Sequence, residues 1–256
     1  MKLNKQIAKT SYGEIEYSLM GQGEPKVILV NGAGGPLEGW IRIMPELAKT
    51  KTVFAYNRLG VGKSSNPTSK QDGITIVETL REALKRAGLQ PPYLLVGHSL
   101  GGLYVQLYAK IYPSEVEAVV FAEASHPKDV KQNSSHGKEI RGLNKIFDMV
   151  DSWFPSKQLR ETKFVSDTVE MIHQNGPFPN IPVYVLIGYK KNLFMPKDLF
   201  QKRVENQKEL LKLSEISYLI KAEGSSHFPQ VRQPELLVKT IETCADQIRQ
   251  GESHSS

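Results

Sequence analysis

The chain has 256 residues, 39% of them hydrophobic and 15 of them proline, enough to bury one sizeable α/β core without a second independent domain. No apolar run approaches the length that crosses a bilayer, and no hydrophobic segment follows Met1 to Gln6 as a secretion signal requires, so a cytoplasmic protein with no membrane partner is expected. The formal net charge of +6 comes from lysines and arginines spread without a dense run or an aromatic-basic stripe, and the one cysteine, Cys244, excludes an internal disulfide or a cysteine-based metal cluster; nucleic-acid binding and redox chemistry are thereby disfavoured.

In chain order, Ile7 to Thr10 and Ile15 to Leu19 flank Ser11-Tyr12-Gly13-Glu14, which reads as a hairpin at a sheet edge. Val27 to Val30 is apolar without alternation, as a strand covered on both faces must be. It opens into Asn31-Gly32-Ala33-Gly34-Gly35-Pro36, a loop in which main-chain N–H groups can turn inward unobstructed. A phosphate-binding loop is the competing reading, but no Gly-Lys-Ser/Thr follows at the required spacing. Trp40 to Leu47 shows a short helical pattern interrupted by Pro45, and Thr52 to Tyr56 is the next buried strand. Asn57-Arg58-Leu59-Gly60-Val61-Gly62-Lys63-Ser64 then forms a second glycine loop, in which Arg58 is expected to anchor loops. Ile74, Val77, Leu80, Leu84 and Ala87 make a helical stripe that ends at Gly88.

Tyr93-Leu94-Leu95-Val96-Gly97-His98-Ser99-Leu100-Gly101-Gly102 follows: a buried strand, a sharp turn enclosed by glycines, and a helix carrying Leu103, Tyr104, Leu107, Tyr108 and Ile111. A nucleophile at such a turn needs small neighbours because strand and helix pass close together. Val116 to Ala122 is a sixth strand, and the alternation of short strands and helices to this point is that of a mostly parallel sheet. From Pro127 to Asn180 the rhythm is lost, and these residues read as a small helical cap above the strand ends. Met149, Trp153, Phe154 and Phe178 are candidates to roof an acyl or aromatic pocket, or simply to pack cap on core. Val183 to Gly188 resumes the sheet, Phe200 to Leu213 is a charged helix, Ile216 to Ile220 the last strand, and Pro234 to Ile248 the closing helix. The expected organisation is thus core (1–126), cap insertion (127–180) and core again (181–256).

Gly97-His98-Ser99-Leu100-Gly101 resembles the nucleophile elbow of the α/β-hydrolase family. The resemblance implies an α/β-hydrolase fold: a mostly parallel eight-stranded sheet flanked by helices, with a small helical cap. It makes Ser99 the nucleophile and points to the N–H groups of Ala33 and Leu100 as an oxyanion hole, with Gly34 sharing the role if the turn is offset by one residue. The loop commonly begins His-Gly in the family, where this chain has Asn31. The second glycine loop resembles the family's Asp-Arg-Pro-Gly-x-Gly-x-Ser, with Asn57 and Leu59 as substitutions. His227, after the last strand and before the last helix, occupies the position of the family's catalytic histidine. His98 is expected to point away from the hydroxyl, and the histidines have no metal-ligand spacing.

The third member should be a buried carboxylate that holds the imidazole in its productive tautomer. Much of the family carries it after the seventh strand, where this chain has Gly188-Tyr189-Lys190-Lys191-Asn192 and no carboxylate nearer than Asp198. Some members, the haloalkane dehalogenases among them, carry it after the sixth, where Glu123 stands; Glu123 is the expected acid and Asp198 the alternative. The implied activity is a serine hydrolase acting without cofactor or metal on a small, fairly apolar carboxylic ester. An aminopeptidase or amidase of the same fold, and a slow-turnover ligand-binding protein that retains the triad, are the alternatives. An aminopeptidase needs a carboxylate for the substrate amine, and Glu139, Asp148, Asp151, Glu161, Asp167 and Glu170 do not single one out. A small molecule is the expected partner, and the sequence does not choose between monomer and homodimer.

Overall fold

In the computed structural model, which describes residues 3–129, 161–191 and 196–253, the apolar segments become eight strands: β1 (Gln6–Thr10), β2 (Gly13–Met20), β3 (Lys26–Val30), β4 (Thr52–Tyr56), β5 (Tyr93–His98), β6 (Val116–Ala122), β7 (Val183–Gly188) and β8 (Ser217–Ala222). They form one sheet in the order β1-β2-β4-β3-β5-β6-β7-β8. The β1–β2 hairpin sits at the edge as expected, β2 runs antiparallel to β4, and every pairing from there to β8 is parallel. Parallel strands need crossovers, and the crossovers bring helices onto both faces.

Alternation along the strands divides the core in two. Ile28, Val30 and Leu95 face a layer containing Val77, Leu80, Leu103 and Leu107, from α2 (Gly73–Arg86) and α3 (Gly101–Ile111). Val27, Leu29, Leu94 and Val96 face Trp40, Met44, Leu47, Leu237, Ile241 and Cys244. Burial on both faces is why these strands carry no polar alternation. Cys244 is wholly buried, as its helical spacing implied.

The local signals account for the helix ends. The Asp72 carboxylate accepts the Thr75 N–H at 3.0 Å and caps α2. At its other end Gly88 adopts φ +79°, while the Gly88 and Leu89 N–H groups bond the Lys85 and Leu84 carbonyls, a Schellman termination that a side chain would strain. Pro45 does not interrupt a helix. It lies in the first turn of α1 (Met44–Leu47) after a 3-10 turn at Leu37–Trp40, where the missing N–H has no helical partner to lose.

Between β6 and β7, residues 130–160 lie outside the described residues. The remainder holds a 3-10 turn (Glu161–Phe164) and α4 (Val165–Gln174), whose Val165, Val169 and Ile172 join the α2–α3 layer. Beyond β7, α5 (Lys197–Lys208) ends earlier than expected and continues as a 3-10 turn through Leu213. The chain closes with α6 (Pro229–Arg232) and α7 (Pro234–Ser253). No helix among the described residues is long and apolar enough to cross a membrane.

Candidate active site

Ser99 stands at the turn from β5 into α3, buried, with φ 51°. Its backbone is pinned: the Ser99 carbonyl accepts the Gly102 N–H at 3.0 Å and the Ser125 N–H at 2.8 Å. The glycines around it are spacing devices. A Cβ at Gly97 would lie 2.8 Å from the Gly101 carbonyl oxygen and 2.9 Å from the Gly102 Cα, and one at Gly101 would lie 2.6 Å from the Asn31 carbonyl oxygen. Such approaches exclude any side chain, so the elbow is held by crowding as much as by bonds.

Glu123 follows β6 directly with φ 54° and is almost fully buried. Among the described residues, Ser99 and Glu123 are the only non-glycine residues with positive φ, a conformation that costs on the order of 1–3 kcal/mol and persists only where the surroundings enforce it. Glu123 Oε1 lies 3.8 Å from His227 Nδ1, within ion-pair range and beyond hydrogen-bond length. The same carboxylate accepts the Gly188 N–H at 2.6 Å and the Gln207 side-chain amide at 3.0 Å, and pairs with Arg203. Asp198, the alternative acid, lies exposed in the first turn of α5.

His98, beside Ser99 in the elbow, packs against His227. Its ring nitrogen Nε2 lies 2.7 Å from the His227 carbonyl oxygen, and because a carbonyl only accepts, Nε2 carries the proton. The two imidazoles pack with centroids 5.1 Å apart, and Phe228 lies 4.9 Å from His227. Burial lowers His227 to about 3, helped by the nearby Arg203 charge. Burial likewise lowers His98 to about 3, helped by His227. Both rings are therefore neutral at pH 7, the state a general base requires.

The Asn31–Pro36 loop packs against the elbow. A Cβ at Gly32 would stand 2.9 Å from the Ser99 Cβ, so this loop and the elbow are in contact. Arg58, buried as a loop anchor should be, donates to the Asn31 carbonyl at 2.8 Å and to the Gly32 carbonyl. Its Nε pairs with Glu161 at 2.6 Å. Glu161 in turn accepts the Gly34 N–H at 2.8 Å and the Tyr104 hydroxyl at 3.1 Å. Burial opposes the Arg58 charge, yet Glu161 holds its pKa above the ordinary value. The Gly34 N–H is thus committed to Glu161. The main-chain N–H groups of Ala33 and Leu100 have no acceptor among the described residues. Phe178 is half-buried against the core; Met149, Trp153 and Phe154 lie outside the described residues.

The family profile described as "alpha/beta hydrolase fold" matches residues 25–180, more than half of the chain. The chain belongs to the α/β-hydrolase family. It is 34% identical over 104 residues to a bovine "(Lyso)-N-acylphosphatidylethanolamine lipase", a match that spans 38% of this chain and 29% of that protein. The "Uncharacterized protein YqjL" of Bacillus subtilis is 25% identical over 217 residues, 81% of this chain and 78% of that one. Among solved structures, mouse "Alpha/beta hydrolase domain-containing protein 10" superposes with TM-score 0.71 at 18% identity, over 97% of this chain and 100% of that one.

Within the α/β-hydrolase family, two of this chain's departures, Asn31 and Asn57, have local causes. Asn31 donates its side-chain amide to the Pro36 carbonyl at 2.9 Å and so braces the loop across its own turn. Asn57 accepts the Leu37 N–H at 2.6 Å and donates to Glu16 at 2.6 Å; an aspartate there would meet the buried Glu16 with like charge and no proton to share. Three site residues escaped the sequence reading. Glu161 was one of six undistinguished acids, while Arg203 and Gln207 sit at i, i+4 on a charged helix, where a polar face turned inward looks like a solvated one.

Proposed function

We propose that this chain is a serine hydrolase that cleaves a small, fairly apolar carboxylic ester through an acyl-enzyme. Ser99 Oγ attacks the carbonyl carbon while His227 takes the hydroxyl proton. The Ala33 and Leu100 N–H groups stabilise the tetrahedral oxyanion. The intermediate collapses as His227 returns that proton to the leaving alkoxide, and a water, deprotonated by His227, then releases the acid and restores Ser99. Glu123 orients the imidazole and balances its transient charge. Asp198 is set aside as the acid because it is exposed and Glu123 is buried facing His227.

The observation that carries this reading is the pair of left-handed non-glycine residues, Ser99 and Glu123: strain concentrated at those two positions is what a preorganised nucleophile and acid require. The partial match to a lipase supports an acyl ester as substrate. In the sequence alone, Met149, Trp153, Phe154 and Phe178 are the candidates to receive an apolar acyl group. Glu161 does not serve as an amine-binding carboxylate for an aminopeptidase, since Arg58, Gly34 and Tyr104 already satisfy it.

Short p-nitrophenyl esters should be turned over and amino-acid amides should not. Ser99→Ala should lose both ester turnover and fluorophosphonate labelling, the former by roughly a thousandfold or more. Amide turnover without ester turnover would overturn the substrate class, and full activity in Ser99→Ala would overturn the mechanism. Labelling of Ser99 with negligible turnover across a broad ester panel would identify a ligand-binding protein instead.

A further inference from the structure

A triad acid normally spends its charge on the imidazole, yet here the carboxylate is shared. Arg203 approaches Glu123 from α5 and pairs with Oε1, the oxygen that also faces His227 Nδ1. The same guanidinium donates to the Gly188 carbonyl at 3.0 Å, while the Gly188 N–H binds the other carboxylate oxygen at 2.6 Å. Arg203 thus bridges the residue after β6 to the end of β7, the strand after which much of the family carries its acid. Gln207, one helical turn further along α5, adds a bond of 3.0 Å. Arg203 lies over the Phe200 ring at 5.5 Å, which fixes its approach.

We propose that Arg203 is a positioning residue of the acid–base pair: it clamps Glu123 against the end of β7 and competes with His227 for the carboxylate's charge. The proposal rests on the serine-hydrolase reading and extends it. The charged and titratable groups facing His227 are Glu123 from β6, Arg203 from α5 and His98 from the elbow. Of these, Arg203 is the lone cation at neutral pH: burial pulls it down to about 10, well above pH 7. A fixed cation beside the carboxylate weakens the attraction that would otherwise favour imidazolium. His227 accordingly stays neutral, and fit to accept the Ser99 proton, into mildly acidic solution. Removing Arg203 frees the carboxylate for the imidazole, and the pair then holds a proton to higher pH. If Glu123 rather than His227 takes that proton, the sign is unchanged, because the titration belongs to the coupled pair.

The test is the pH profile of kcat/KM with a p-nitrophenyl ester for the wild type, Arg203→Met and Arg203→Lys, with folding checked by thermal melting. Arg203→Met should raise the midpoint of the acid limb by about one to three pH units, the range for a charge a few ångströms away. Arg203→Lys retains the cation and should return the limb to near its wild-type position, at lower kcat because a single ammonium cannot bridge Glu123 and the Gly188 carbonyl. A folded Arg203→Met enzyme with an unmoved acid limb overturns the proposal, as does a limb that moves equally in both variants. Should Arg203→Met not fold, Arg203→Gln carries the same reading, and Arg203→Lys with wild-type limb and wild-type kcat overturns the clamp. Failure of the underlying mechanism is separate: it shows as ester turnover surviving in Ser99→Ala, whatever the Arg203 variants do.

Discussion

The two glycine-rich turns that meet at Ser99 are held in place by different forces. The elbow is fixed by crowding and main-chain bonds: Gly97 and Gly101 leave no room for a side chain, and the Ser99 carbonyl takes the Gly102 and Ser125 N–H groups. The Asn31–Pro36 loop is fixed by charge brought from far along the chain, through Arg58 and, 127 residues after Gly34, Glu161. One turn is a packing problem and the other an electrostatic one. They should therefore fail under different perturbations.

Acid separates them most strongly. His98 and His227, on the elbow side, have native pKa values lowered from 6.5 to about 3, so the unfolded chain binds protons that the folded one refuses. Their contribution is complete above pH 6.5 and is lost as pH falls through the window down to about 3, with a slope of up to about 1.4 kcal/mol per pH unit for each ring. Chemical denaturation at pH 7 and pH 5 should show this loss, and His98→Asn should shallow the slope. Equal stability at the two pH values would contradict the buried neutral pair.

Charge deletion acts on the other turn. Arg58→Met leaves the partly buried Glu161 without its cation and should cost up to about 3 kcal/mol in denaturant melts, with the double variant Arg58→Met/Glu161→Met recovering part of the loss. An additive double variant would mean that the clasp is not one unit. Gly101→Ala tests the crowded turn: about 1–3 kcal/mol of stability should go, together with fluorophosphonate labelling, because the elbow must shift against the Asn31 carbonyl. The smallest effect is expected far from both turns. Gly88→Ala meets open space but keeps a left-handed φ, so it should cost about 1 kcal/mol in the same melts and leave ester turnover unchanged.

The same contrast explains what was legible in the sequence. The elbow is contiguous: Gly97 to Gly102 carry its spacing requirements within six residues, so strand, turn and helix could be read together. The sheet was legible for a similar reason, since strands buried on both faces lose polar alternation. The clasp was not legible, because nothing around Glu161 distinguishes a carboxylate aimed at a loop 127 residues earlier from one aimed at water. The Arg203–Glu123 contact is hidden likewise, across 80 positions. The His98 contact was equally hidden, because its partner is a main-chain carbonyl, which leaves no residue-type signature at all. Pro45 was misread for the opposite reason: proline is punctuation of either sign, and only the position of the first turn decides which.

Cys244 lies fully enclosed between the last helix and the sheet, and burial raises its thiol far above the ordinary range. The native molecule should thus ignore maleimides and disulfide reagents, reacting with them only when α7 lifts from the strands beneath it. Because no second sulfhydryl exists to confuse the signal, the rate of that modification is a built-in clock for the detachment of the chain's closing segment.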